Sequence, residues 1–139
     1  MTWPPKPGTA SAKPKRRNNH DEDDLQESVV AFLDLALPAQ AGVFFSATLN
    51  GVRVTKKSIG RLTKLGLRRG VLDLVFIPLV GPLVGNTYWI ELKSDTGRPT
   101  IEQKKIVEAL GPDRACFARS VVEVQDALLR WGFPLRARL

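Results

Sequence analysis

Val71-Leu72-Asp73-Leu74-Val75-Phe76-Ile77 and, after a loop, Thr87-Tyr88-Trp89-Ile90-Glu91-Leu92-Lys93 decide how this chain is read. Both runs have the apolar, β-branched and aromatic character of buried strands. The first is apolar except for Asp73, and the second carries Glu91 near its end with Lys93 two residues on. Acids and lysines are almost never buried without a partner, and an unpaired buried carboxylate costs several kcal/mol. Two acids and a lysine inside such runs point to a metal ion, a substrate or both.

The intervening segment, Pro78-Leu79-Val80-Gly81-Pro82-Leu83-Val84-Gly85-Asn86, has the Pro, Gly and Asn content of a loop. Antiparallel pairing centred on Pro82 sets Asp73 opposite Glu91, Val75 opposite Trp89 and Ile77 opposite Thr87. Opposed residues share a sheet face with Cβ atoms about 5 Å apart. The two-residue period then puts Lys93 on that face as well. A one-residue slip would send the two acids to opposite faces. Carboxylates this close demand either a proton or a cation. Their hard oxygens suit Mg²⁺ or Mn²⁺, and such an ion with a neighbouring lysine serves phosphodiester hydrolysis. The alternative is a structural ion pair of Lys93 with Asp73 or Glu91 at the sheet edge.

With 139 residues and 43% hydrophobic content, the chain has the size of one globular domain. No apolar run approaches the ~20 residues of a membrane span. No apolar signal-peptide core follows Met1, so an intracellular location in a bacterium or virus-infected cell is expected. A lone Cys116 and a single histidine leave neither a disulfide framework nor an ordinary zinc site. The net charge of +7 is unevenly placed. Residues 1–20 hold Lys6, Lys13, Lys15, Arg16 and Arg17, four prolines and no acid, and read as a disordered tail ahead of a folded domain over residues 21–139. Without those five positives the remainder is only +2. Within it, Arg53, Lys56, Lys57, Arg61, Lys64, Arg68 and Arg69 follow one another with no acid between them. Such a run is the footprint expected for a phosphate backbone, with a solvated helical face and loop as the alternative, although solubilising surfaces usually mix signs.

A first helix is expected from His20 or Asp21 to Leu37, stopped by Pro38. Leu25, Val29, Phe32, Leu33 and Ala36 form its buried stripe. At about 100° per residue, Glu22 falls inside that stripe and Glu27 faces away. Glu22 is thus a candidate for the site, or else a residue serving the helix N-terminus. Val43–Leu49 reads as a strand, with Asn50-Gly51 as a turn. Thr55–Leu65 reads as a short basic helix ended by Gly66. Thr100 and Gln103 form a capping box for a second long helix, and Ser120 with Glu123 forms another for the last. Ala115–Ala118 is a strand between them. The order is α-β-α-β-β-α-β-α, an α/β fold with a small mixed β-sheet flanked by helices.

Aspartate in one strand and Glu-x-Lys in the next resembles the PD-(D/E)XK nuclease superfamily, whose core is restriction-endonuclease-like. Asn50-Gly51, Gly66, Gly70-Val71-Leu72-Asp73-Leu74, Ile90-Glu91-Leu92-Lys93, Gly97-Arg98-Pro99 and Gln103 are together similar to the VRR-NUC nuclease domain, over roughly Asp21 to Phe133. Leu72 departs from the proline that family usually has there. The resemblance implies Asp73, Glu91 and the Leu92 carbonyl as ligands of Mg²⁺ or Mn²⁺. It makes Lys93 the group that positions or activates water, and places Glu22 beside the metal. It brings Gln103 near the catalytic lysine, in competition with its capping role, and Asn50 near the substrate. It further implies a metal-dependent DNA endonuclease acting on branched or Holliday-junction-like DNA as a homodimer. The rival expectations are a non-catalytic DNA-binding protein, a nuclease subunit needing a partner helicase, and a ribonuclease.

Overall fold

In the computed structural model, residues 19–48 and 55–139 are described, side chains from Asp21 onward. The elements are α1 (Asn19–Ala36), β1 (Val43–Ala47), α2 (Lys56–Lys64), β2 (Leu74–Pro78), β3 (Tyr88–Leu92), α3 (Ile101–Leu110), β4 (Ala115–Ala118) and α4 (Val121–Trp131). Their order and type are those expected from the sequence. The charged tail before residue 19, and Leu49, Asn50, Gly51 and Arg53, lie outside the described residues.

The four strands form one open sheet in the order β1-β2-β3-β4. β1–β2 and β2–β3 pair antiparallel, whereas β3–β4 is parallel with α3 as the connection. The architecture is mixed α/β. Leu74, Phe76 and Pro78 of β2 and Tyr88, Ile90 and Leu92 of β3 are buried. Phe76, Tyr88 and Ile90 share a core with Val29 and Leu33 of α1 and Val124, Leu128 and Trp131 of α4. Tyr88, Trp131 and Phe133 pack ring against ring at one end, with centroids 4.9–6.4 Å apart. The Trp131 Nε1–H donates to the Pro112 carbonyl at 2.8 Å, which satisfies the one polar atom that ring brings inward.

The expected hairpin register holds. Leu74 pairs with Ile90, Val75 with Trp89 and Phe76 with Tyr88. Regular pairing stops at Leu74 instead of continuing to Val71, because side chains take over the ladder there. The Asp73 N–H donates to Glu91 Oε2 and the Leu92 N–H donates to Asp73 Oδ2, each at 2.9 Å. The preceding residues are tied to the edge of β1, where the Thr48 N–H donates to the Asp73 carbonyl and its hydroxyl to the Leu72 carbonyl. Leu72 itself is buried, so the position where the resemblance expects proline is filled by a packed side chain.

Helix ends follow their chemistry. The Thr100–Gln103 capping box is complete. The second box is only half formed. Ser120 accepts from the Glu123 N–H as expected, but the Glu123 carboxylate accepts from the Arg119 N–H, one residue earlier. Gly66 takes φ +112° just past α2, a positive φ of the kind that ends a helix. α2 has no buried residue and stands clear of the core. No helix among the described residues is long and apolar enough to cross a membrane.

Candidate active site

The site lies where the β2–β3 ladder opens, at the end of the hairpin away from its loop. Asp73, Glu91 and Lys93 are 9%, 2% and 2% exposed, so all three charges are buried as their apolar context implies. The pleat puts them on the face opposite the α1–α4 core. Lys93 Nζ stands 3.1 Å from Glu91 Oε1. The structural ion pair expected as the alternative to a metal site is therefore present, formed by Lys93 with Glu91 beside the opposed Asp73.

Gln103 reaches this cluster from α3. Its Oε1 accepts from the Thr100 N–H at 2.9 Å while its Nε2 donates to Glu91 Oε1 at 2.5 Å. The expected competition between cap and site does not arise, because the amide offers an acceptor to one and a donor to the other. Gln103 touches Glu91 and acts on the site through it.

Around these residues is a cleft of about 360 Å³ lined by Glu22, Arg69, Gly70, Asp73, Glu91, Lys93, Thr100, Glu102 and Gln103. Glu22 is thus brought to the site from α1, whereas Glu27 is exposed, as the helical stripe requires. Glu102 carries no signal in the sequence that marks it for the site. It follows the cap residue by two positions, and only the packing of α3 beside Gly70 turns it toward the cleft: a β-carbon on Gly70 would come within 3.0 Å of Glu102 Cβ.

Electrostatics reflect the crowding of acids. Burial, and next the Glu91 carboxylate, push Asp73 up from 3.8 to about 7. The Leu92 N–H and Lys93 oppose the shift, and Glu22 adds to it. Glu91 is also raised by burial, against the pull of Lys93 and of the Asp73 N–H. The cleft thus carries negative charge that a proton or a cation would relieve.

Among the described residues, no group of three or more His, Cys, Asp or Glu side chains forms a ready-made metal cage. The donors fit a hard cation of the kind that takes one or two carboxylates and fills its shell with water or phosphate oxygens. Asp73 and Glu91 are the carboxylates of that kind in the cleft, with Glu91 Oε1 engaged by Lys93 and Gln103 and Asp73 Oδ2 by the Leu92 N–H. The Leu92 N–H donates to Asp73 Oδ2, and its carbonyl is the ligand that the resemblance implies.

The basic stretch divides in three. Lys57, Arg61 and Lys64 line an open groove of about 670 Å³ along α2, and Lys56 is exposed on the same helix. Arg69 lines the carboxylate cleft. Arg68 donates to the Thr63 and Leu67 carbonyls at 3.0 Å and so closes the end of α2. Its expected role as a phosphate contact gains a structural competitor that spacing does not reveal.

Comparison of the chain with models of known protein families, with curated proteins and with solved structures gave no match.

Proposed function

We propose that this protein is a metal-dependent DNA endonuclease of the PD-(D/E)XK type, similar to VRR-NUC domains. The observation that carries the reading is the convergence of Asp73, Glu91 and Lys93 at the open end of one hairpin, inside a cleft that also holds Glu22. The small mixed α/β fold is compatible with it, and α1 carries Glu22 to the cleft. A bound Mg²⁺ or Mn²⁺ would supply a polarised phosphoryl oxygen and a water of lowered pKa.

The protein's own residues do the rest. Asp73 and Glu91 would hold the cation. Lys93, kept in place by Glu91, faces the scissile phosphate and orients the attacking water. Glu22 lies across the cleft to support the cation or that water. Gln103 fixes the Glu91 carboxylate. Arg69 contacts a phosphate at the cleft, and Lys56, Lys57, Arg61 and Lys64 hold the backbone farther along. Branched DNA as substrate and a homodimer that offers two such clefts complete the proposal.

Incubation of the purified protein with linear, flapped and four-way DNA in Mg²⁺, Mn²⁺ or EDTA tests it. Metal-dependent cleavage abolished by Asp73→Asn and by Lys93→Ala is expected. Cleavage that survives both substitutions would refute the assignment, and binding of branched DNA without cleavage under any metal would favour a non-catalytic role.

A further inference from the structure

Arg119 lies just past β4 and outside the carboxylate cleft, yet it grips the turn that joins Lys93 to α3. Its Nη1 donates to the Ser94 carbonyl and, at 2.8 Å, to the Gly97 carbonyl. The turn is also closed from within, as the Gly97 N–H donates to the Ser94 carbonyl at 3.0 Å and lies 3.1 Å from Ser94 Oγ. Ser94 and Gly97 are buried, although Asp95 and Thr96 between them are exposed. Arg119 is itself anchored, because its N–H is held by Glu123 at the start of α4.

Gly97 lies against the movable end of the Glu22 side chain. A β-carbon there would sit 2.9 Å from Glu22 Oε1, closer than real Cβ atoms approach, and 3.1 Å from Ser94 Oγ. Gly97 is not among the residues with positive φ, so its backbone conformation accepts alanine. The Glu22 carboxylate therefore rests against the bare Cα of a turn whose position Arg119 sets.

We infer that Arg119 and Gly97 form a seat that fixes how far Glu22 reaches into the cleft, which makes Arg119 a positioning residue acting through Glu22. The inference deepens the nuclease reading and rests on it. Without Arg119 the turn loses two charge-assisted hydrogen bonds and the surface that Glu22 meets at Gly97 is no longer held in place. With alanine at position 97 the support stays and the carboxylate is pushed off it.

A double-mutant cycle on full-length protein tests this. Mn²⁺ affinity is measured by isothermal titration calorimetry, and kcat and KM on the DNA substrate that wild type cuts best. Arg119→Ala and Gly97→Ala are each expected to weaken Mn²⁺ binding and lower kcat roughly tenfold, the scale of lost outer-layer support at metal sites. KM for DNA should not move, and Arg119→Lys should recover part of the loss. In a Glu22→Ala background neither substitution should subtract further, since both act through the carboxylate already removed. Wild-type affinity in both single variants, or losses that add in full to those of Glu22→Ala, would overturn the seat while leaving the nuclease reading intact. Should Arg119→Ala not fold, Gly97→Ala carries the cycle alone. Mn²⁺ binding with the expected non-additivity but no DNA cleavage by wild type would remove the nuclease reading and keep the seat. A wild type that binds no Mn²⁺ at millimolar concentration would remove both.

Discussion

Gln103 and Glu91 are joined by a 2.5 Å hydrogen bond that couples the first turn of α3 to the strand bearing the second acid. The same amide caps its helix, so the two duties can be separated by mutation. Thr100→Ala removes only the cap half provided by the threonine hydroxyl. It should cost about 1 kcal/mol of stability and leave DNA cleavage close to wild type. Gln103→Ala removes the other half and also releases Glu91. A similar stability loss should come with a fall in kcat of roughly tenfold. Chemical denaturation and single-turnover cleavage on both variants check the contrast, and equal activities would refute it.

The acid cluster makes stability depend on pH in an unusual direction. Folding raises Asp73 from 3.8 to about 7, chiefly by burial and next by Glu91. Between those values the native state keeps a proton that the unfolded chain has released. Stability therefore falls as pH rises through that window, by at most about 4 kcal/mol at about 1.36 kcal/mol per pH unit. Metal-free protein should melt at a higher temperature at pH 5 than at pH 8. Asp73→Asn should flatten the profile, and millimolar Mg²⁺ or Mn²⁺ should raise the melting temperature most at pH 8. Differential scanning fluorimetry across pH, with and without metal, measures all three.

Exposed cations on α2 should matter for DNA and not for folding. Replacing Lys57, Arg61 and Lys64 by alanine touches no buried group, so stability should change by no more than about 0.5 kcal/mol per substitution. DNA affinity should drop, and the slope of log K against log salt should flatten by about 0.9 for each phosphate no longer neutralised. Arg68→Ala should behave differently, loosening the end of α2 because the Leu67 carbonyl loses the Arg68 donor and the Thr63 carbonyl is left with the backbone donors of the helix end. Salt-dependent fluorescence anisotropy, paired with thermal melts, separates the two behaviours.

Cys116 should be chemically quiet. Burial pushes its thiol up from 9.0 to about 11, against a smaller downward pull from Arg130. The thiolate fraction at pH 8 is then lower by about a hundredfold, and alkylation by iodoacetamide should slow accordingly relative to the unfolded chain. Mass spectrometry of timed alkylation, native against denatured, gives the ratio.

The readable parts of this chain are the ones written in short-range code. Alternating apolar residues around a Pro-Gly loop define the β2–β3 register, down to Val75 opposite Trp89. Thr100 with Gln103 announces a helix start, and the stripe through Val29 and Leu33 tells Glu22 from Glu27. What stays hidden depends on where separate elements meet. The site-facing half of Gln103 follows from the resemblance and not from spacing, because the Glu91 contact needs α3 packed against the sheet. The grip of Arg119 on Ser94 and Gly97 spans more than twenty residues of chain. The Glu123 N–H meets Ser120 Oγ as expected, but the Glu123 carboxylate takes the Arg119 N–H in place of the Ser120 N–H, a shift of one residue that spacing alone does not encode. Arg68 reads as one more phosphate contact because its charge is visible in sequence and its carbonyl partners are not.

The hairpin also limits how this protein can change. Asp73 and Glu91 meet at its open end, while Leu79 to Thr87 turn at the other, about five residues of strand away, or ~17 Å. Near its tip, at the exposed Gly81 and Pro82, residues can be added to the turn without disturbing the meeting point, whereas Leu79 and Leu83 are tied to Gly42 and the core. Loss of a single residue within β3 would reverse the facing of everything beyond it, carrying Glu91 into the core and Ile90 out into the cleft. Descendants of this sequence should therefore differ freely in the length of that tip and hardly at all in the parity of the two strands, and the tip is the place to insert a reporter group that leaves the cleft undisturbed.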